Sequence, residues 1–109
     1  MEYEIQVRRE LKGYIERGTK TVELRPNVAP YSLYKVGDVL VVRGITKPLP
    51  PIIDIREYPD VRDAMLTEDS YKIAPLFSVN QIVSYFGGLY NGAALSNGIL
   101  AIEWSIPTR

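Results

Sequence analysis

A chain of 109 residues without cysteine or histidine cannot build a disulfide framework, a thiolate or histidine metal site, a catalytic triad or a Cys–His dyad. Thirteen basic side chains balance thirteen acidic ones, so no global field attracts nucleic acid, and a polyanion would need a local basic patch. No apolar run approaches the roughly 20 residues that span a bilayer, and we expect one cytoplasmic domain over residues 1–109, without membrane contact, cofactor or dedicated metal site.

The first part of the chain predicts a strand, a short amphipathic helix and a second strand. Apolar and polar residues alternate over Tyr3–Val7, which is typical of a strand. The period changes to a helical one over Arg9–Arg17, and Gly18 follows where a left-handed helix cap is expected. Alternation then returns over Thr19–Arg25 and ends at Pro26.

The rest of the chain predicts three more strands, separated by helices and loops. The strands are Val39–Arg43, Ile53–Tyr58 and Ile99–Ile106; the helical segments are Asp60 or Val61 to about Leu66, a turn near Ser70–Ile73, and Val79–Phe86 capped by Ser78; Asn91–Asn97 is a loop. A strand at each end of the chain suits closure by the terminal strands. We therefore predict an α+β fold, a small β-barrel of about five to six strands with two to three short helices.

The segment RGTKTVELR, residues 17–25, raises the question of a site. Glu23 and Arg25 are two apart on a strand and share a face, yet an exposed ion pair would stabilise by only about 0–1 kcal/mol. Strict alternation puts Lys20 on the opposite face, so it joins them only from the turn or by curling its stem around the strand's start. The alternative is an ordinary solvated strand face.

Several residues qualify as ligand contacts in a site built on this segment. Arg25 could hold a phosphate or carboxylate in fork geometry, Glu23 could accept from a base amino group, and Lys20 could reach a phosphate or act as a base. The further candidates are the neighbouring hydroxyl of Thr21, the basic Arg8 and Arg9, and the aromatic rings of Tyr58, Tyr85 and Tyr90 for base stacking. Each also has an ordinary structural interpretation.

Four stretches together resemble the ASCH domain, a family of the PUA-like superfamily of small β-barrels. They are Ile15–Arg25 (IERGTKTVELR), Val36–Leu40 (VGDVL), Ile55–Pro59 (IREYP) and Gly98–Glu103 (GILAIE), in the family's order and rough spacing over nearly the whole chain. The resemblance implies a PUA-like barrel with a cleft near the strand that carries Lys20, Glu23 and Arg25.

ASCH proteins are associated with binding RNA or nucleosides, and the resemblance implies such a ligand here. One branch removes the acyl group from N4-acetylcytidine with a lysine, a threonine and a glutamate, and another member is a ribonuclease. Lys20 matches the lysine of that branch, whereas Glu23 stands at the nucleophilic threonine. Ala74-Pro75-Leu76 occupies the place of the branch's glutamate, and Glu68 is the closest acid.

The leading hypothesis is an RNA- or nucleoside-binding module with a cleft around Lys20, Glu23 and Arg25. The first alternative is a hydrolase of the ASCH type, an amidohydrolase or a ribonuclease, with Lys20 as base or electrostatic stabiliser and Glu23 or Glu68 as acid/base. The second is a regulatory module that binds another protein, which the balanced charge leaves open. The sequence does not predict the ligand's identity or the oligomeric state.

Overall fold

The computed structural model describes residues 1–90 and 92–104, which form five strands and five α-helices. In chain order these are β1 (Glu2–Ile5), α1 (Arg9–Glu16), β2 (Val22–Pro26), β3 (Val39–Val42), β4 (Ile52–Tyr58), α2 (Val61–Thr67), α3 (Ser70–Ile73), α4 (Val79–Leu89), α5 (Gly92–Leu95) and β5 (Ile99–Trp104). A 3-10 turn over Tyr31–Leu33 follows β2. None of the helices within these ranges is long and apolar enough to cross a membrane.

The strands form two sheets. The smaller pairs β1 with β3 in parallel, and the larger is antiparallel in the order β2-β5-β4. The predicted closure by the terminal strands is wrong, because both edges of β5 are already paired, with β2 and β4, and β1 lies in the other sheet. Over the described residues the fold is therefore α+β with two sheets and no closed barrel.

The central strand β5 is apolar because it supplies both halves of the core. Its residues alternate between two buried clusters: Ile99 and Ala101 pack with the helical layer, and Leu100, Ile102 and Trp104 pack with the smaller sheet. A strand covered on both faces needs a continuous apolar run, and this one has it. The expectation that Trp104 is a core residue is confirmed, since it is 3% exposed.

Local signals placed most element ends correctly. Gly18 follows α1 with φ 78°, and the Ser78 side chain caps α4 in a capping box with Gln81. The predicted loop Asn91–Asn97 is wrong in part, because α5 covers Gly92–Leu95, and residue 91 lies outside the described residues. Helix α4 runs through two glycines to Leu89. Packing of the Phe86 face offsets the low helix propensity of glycine there. The predicted end of the last strand, residues 105–106, lies outside the described residues.

Candidate binding cleft above Glu23

A cleft of about 1000 Å³ opens between the start of α1, strand β2 and helix α4. Its charged lining comes from Arg8, Arg9, Lys12, Glu23 and Arg25. Its aromatic lining comes from Phe77, Tyr85, Phe86 and Tyr90. Basic side chains thus outnumber the acidic one, although the chain as a whole is neutral.

Lys20 lies beneath this cleft and is fully buried. It precedes β2, which begins only at Val22, so strand alternation does not direct its side chain. Its Nζ donates to the carbonyl oxygens of Val22 (2.5 Å) and Ile73 (2.6 Å) and lies 2.8 Å from Glu23 Oε1. Three acceptors thus take the three ammonium protons. Burial lowers the pKa of Lys20, and the Glu23 carboxylate opposes that shift.

Glu23 forms the floor of the cleft between two cations. Its Oε1 faces Lys20, and its Oε2 accepts from Arg25 Nε (2.8 Å) and Nη2 (2.5 Å). Burial works to raise the pKa of Glu23, but Lys20 and Arg25 outweigh it and hold that pKa below the usual value. The side chain is 12% exposed, so an ionised carboxylate touches the cleft.

Arg25 positions Glu23 rather than offering its fork to a ligand. Beyond Glu23, its guanidinium donates to the Tyr31 hydroxyl (Nη1, 3.0 Å) and to the Gln6 carbonyl, and Cζ lies 5.1 Å from the Tyr31 ring centroid. Burial works to lower the pKa of Arg25, but Glu23 raises it above its ordinary value. Four of the five N–H donors are therefore engaged within the protein.

The rim of the cleft is basic and sits on the first turns of α1. Arg9 is exposed there, and among the described residues it makes no hydrogen bond or ion pair. Arg8 lies beside it, with Nε 2.8 Å from Glu10 Oε2 and its guanidinium on two aromatic rings. Lys12, one turn on, also lines the cleft. The rim thus presents cations where a ligand would enter.

Helix α4 supplies the aromatic wall. Tyr85 is 39% exposed, and the Phe86 and Tyr90 rings pack at 5.4 Å between centroids. Burial raises the pKa of Tyr90 to about 12, so its phenol stays protonated at neutral pH. Sequence reasoning missed Phe77 and Lys12 as lining residues; the available signals were an aromatic residue just before the Ser78 cap and a lysine one turn after Arg8 and Arg9.

Three predicted site residues lie elsewhere. Thr21 is buried, with its backbone N–H donating to the Lys72 carbonyl (2.9 Å), and it does not line the cleft. Tyr58 and Glu68 belong to a second cluster, where the Tyr58 hydroxyl donates to the Glu68 carboxylate. The structure therefore brings together Lys20, Glu23, Arg25, Arg9 and Tyr85, and separates Thr21, Tyr58 and Glu68 from them.

The second cluster centres on Arg56 and borders a shallow depression of about 240 Å³. Arg56 donates to both oxygens of Glu68 (2.7 Å each), to Asp54 (2.8 Å) and to Glu103 (2.8 Å). The hydrogen bonds from Arg56, and after them the one from the Tyr58 hydroxyl, hold the pKa of Glu68 below its usual value, although burial works to raise it. Neither cluster, nor any other part of the described ranges, groups three side chains suited to holding a metal ion.

Comparison with known proteins shows the fold. No protein-family model matches the chain, and no curated protein matches it. The crystal structure of the hypothetical protein PH0355 has a TM-score of 0.84 and 23% identity, over 94% of this chain and 96% of that one. The solution NMR structure of PF0455 from Pyrococcus furiosus has a TM-score of 0.77 and 24% identity, over 94% of each chain. At this identity the likeness defines a shared small α+β fold.

Proposed function

We propose that this protein binds RNA or a nucleoside-containing ligand in the cleft above Glu23. The observation that carries the proposal is the joining of a basic rim, an aromatic wall and an ionised carboxylate floor in one concave site. Those three elements match the phosphate, the flat base and the base's hydrogen-bond donors. A volume of about 1000 Å³ is at the upper end of ordinary small-ligand sites and leaves room for more than a lone base.

Each part of the site has a distinct task in this proposal. Arg9 binds phosphate, since it lines the cleft at the start of α1 and is exposed there. Tyr85 offers a partly exposed aromatic ring to a base. Lys20 and Arg25 use three of the roughly four lone-pair positions of the Glu23 carboxylate. The remaining position accepts a hydrogen bond from an exocyclic amino group of the base.

We assign the chain to the ASCH family and its fold to the PUA-like superfamily as part of the same proposal. Support comes from the segment that carries the resemblance, residues 15–25, because its charged residues Lys20, Glu23 and Arg25 converge at the floor of the cleft. The contact of Lys20 with the Ile73 carbonyl ties this segment to the stretch before α4, where that family's amidohydrolase branch places its glutamate.

The geometry favours binding over hydrolysis. Lys20 lies behind Glu23 with its protons engaged, so it does not reach a substrate in the cleft. Glu23 is a weak base, since two cations lower its pKa. Glu68 is occupied by Arg56 outside the cleft. The protein-partner alternative lacks a comparable built site, because its neutral charge is its main support.

The test is a titration of a fluorescently labelled, single-stranded RNA, followed by anisotropy over a range of salt concentrations. We expect binding at low salt that weakens as salt rises, and a loss of about two- to tenfold in affinity for Arg9→Ala. Arg62→Ala is the matched control, because Arg62 is also exposed but lies on α2 and does not line the cleft. Absence of binding to RNA and to mononucleotides at low salt would overturn the proposal.

Incubation of the pure protein with N4-acetylcytidine separates binding from hydrolysis. We expect chemical-shift changes in the Tyr85 ring without release of cytidine. If the wild-type protein releases cytidine and a folded Lys20→Met variant does not, hydrolysis becomes the leading function and binding alone the alternative.

A further inference from the structure

Arg8 occupies an aromatic contact at the lip of the cleft. Its guanidinium carbon lies 4.9 Å from the Phe77 ring centroid and 4.6 Å from the Tyr85 ring centroid. All three side chains line the cleft. A planar cation of the chain itself thus covers the faces of two rings that point into the site.

A guanidinium and a nucleobase interact with aromatic rings in a similar way. Both are flat and delocalised, and both stack on an aromatic face. The position that holds the Arg8 guanidinium over two rings therefore offers the aromatic surface on which an unstacked base packs. Tyr85 was a stacking candidate from the sequence, and the structure adds Phe77 as the second ring.

The two rings are held more firmly than Arg8. Phe77 packs against the buried core, and its backbone N–H donates to the Ala74 carbonyl at 3.0 Å. Tyr85 is held on the capped helix α4. Arg8, by contrast, is 37% exposed and its partner Glu10 is 48% exposed, so this ion pair is solvated and weak.

The exchange of Arg8 for a base replaces two cation–π contacts by stacking. A base stacked on an aromatic ring stabilises by an amount comparable with these contacts, so stacking can offset their loss. The displaced guanidinium stays on the rim beside Arg9, where a phosphate attached to the base would meet it. The same movement thus opens the stacking position and adds a cation to the phosphate side.

We propose that Phe77 and Tyr85 form a nucleobase-stacking subsite, which Arg8 fills in the free protein and leaves when a base binds. This inference rests on the proposed function and names its ligand group, a nucleobase carried either by a free nucleoside or nucleotide or by a strand of RNA. Arg8 acts as an internal occupant of the subsite and then as a phosphate contact.

The experiment compares uncharged adenosine with labelled single-stranded RNA on four variants. Tyr85→Leu should lower the affinity for both ligands about tenfold, the loss of one stacked base. Tyr71→Leu is the matched control, because Tyr71 is 60% exposed and lies outside the cleft. Phe77→Leu should behave like Tyr85→Leu, and its thermal unfolding is followed because Phe77 packs on the core.

Arg8→Ala gives the decisive result, since it separates the stacking position from the phosphate contact. Adenosine should bind several-fold more tightly, because nothing needs to be displaced. RNA gains the same open position but loses one phosphate contact, so its affinity should rise less than that of adenosine, and its slope of log affinity against log salt should fall by about 0.7, the value for one phosphate contact on a single strand. Binding is followed by the shifts of the Tyr85 ring signals for adenosine and by anisotropy for RNA.

The outcomes separate this inference from the function on which it rests. If RNA binds but Tyr85→Leu matches Tyr71→Leu, the subsite is wrong and the proposed function stands. If Arg8→Ala weakens adenosine and RNA alike, Arg8 is a fixed wall of the site and the displacement is wrong. If the wild-type protein binds neither ligand, both proposals fail.

Discussion

The protein contains two charged clusters built in opposite ways. In the cleft, one carboxylate, Glu23, lies between two cations, Lys20 and Arg25. On the other side of β5, one guanidinium, Arg56, lies among three carboxylates. The cleft cluster is almost closed to solvent, because the side chains of Lys20, Glu23 and Arg25 are 0%, 12% and 11% exposed. The side chain of Arg56 is 29% exposed.

This difference in burial supports the binding role proposed for the cleft cluster and a structural role, as a tie between elements, for the Arg56 cluster. Removing charges from water costs more than their pairing usually returns, so a buried ion cluster is a poor way to stabilise a fold. A chain that keeps one beneath a large cleft, with its carboxylate exposed to that cleft, has placed charge where a ligand can use it. The Arg56 cluster is only partly buried, since Glu68 alone of its carboxylates is closed to solvent, and it links β4, β5 and the end of α2.

Lys20→Met should produce the largest loss. The substitution keeps the apolar stem but leaves Glu23 in a closed site with one cation fewer, and it leaves the Val22 and Ile73 carbonyls unpaired. Breaking a buried pair by removing one partner costs about 3–5 kcal/mol of unfolding free energy. Urea unfolding followed by circular dichroism measures it.

Lys72→Met is the matched control, because Lys72 is exposed and its side chain makes no hydrogen bond or ion pair within the described residues. It should change the unfolding free energy by less than about 0.5 kcal/mol. Equal effects of the two lysine substitutions would contradict the contrast between a buried and a solvated charge.

Acid should weaken the fold through both clusters, and more through the cleft. The folded-state pKa values of Glu23 and Glu68 are both lowered, so each carboxylate contributes stability that is present above its unfolded pKa, about 4.3, and is lost as pH falls through the folded value. This loss is smaller than that of Lys20→Met, because a protonated carboxyl still fills its space and accepts a hydrogen bond.

Urea unfolding repeated from neutral to acidic pH measures this effect on two variants. Glu23→Gln should flatten the decline of stability with acid more than Glu68→Gln, since Glu23 lies between two cations. An unchanged acid profile in Glu23→Gln would show that the cleft carboxylate is not the titrating group.

The sequence predicted those parts of the fold that local signals determine. The glycine after α1, the Ser78 cap and the alternation that puts Glu23 and Arg25 on one face each depend on neighbours in the chain. Closure into a barrel was predicted from a strand at each end of the chain, but pairing depends on contacts between strands that are distant in sequence, and local patterns do not encode those contacts.

The contacts within the candidate site were predictable mainly where the residues are close in sequence. Lys20 contacts Glu23 although alternation pointed away, because it precedes strand β2. The contact of Lys20 with the Ile73 carbonyl joins residues 53 apart in sequence. The contact of Arg8 with Phe77 also joins distant parts of the chain, and local patterns predict neither contact. Glu68 was a candidate catalytic acid from the sequence, but in the structure it pairs with Arg56, and no sequence pattern indicates that pairing.

Arg56→Met should produce the smallest loss of the three and so sharpens the comparison from the solvated side. It removes four charged hydrogen bonds, but two of the three carboxylates, Asp54 (54% exposed) and Glu103 (21% exposed), can return to water. Only Glu68, 5% exposed, keeps a desolvation penalty, and the Tyr58 hydroxyl still donates to it. We expect a loss of about 1–2 kcal/mol in urea unfolding.

Arg62→Met controls for removing an exposed arginine on the same side of the protein, and it should be nearly neutral. The RNA affinity of Arg56→Met should equal that of the wild type, because Arg56 does not line the cleft. A loss as large as that of Lys20→Met would mean that both clusters are structural ties. A loss of RNA affinity in Arg56→Met would indicate that RNA binds near the Arg56 cluster rather than in the cleft, because removing a cation that does not contact the RNA should leave binding unchanged.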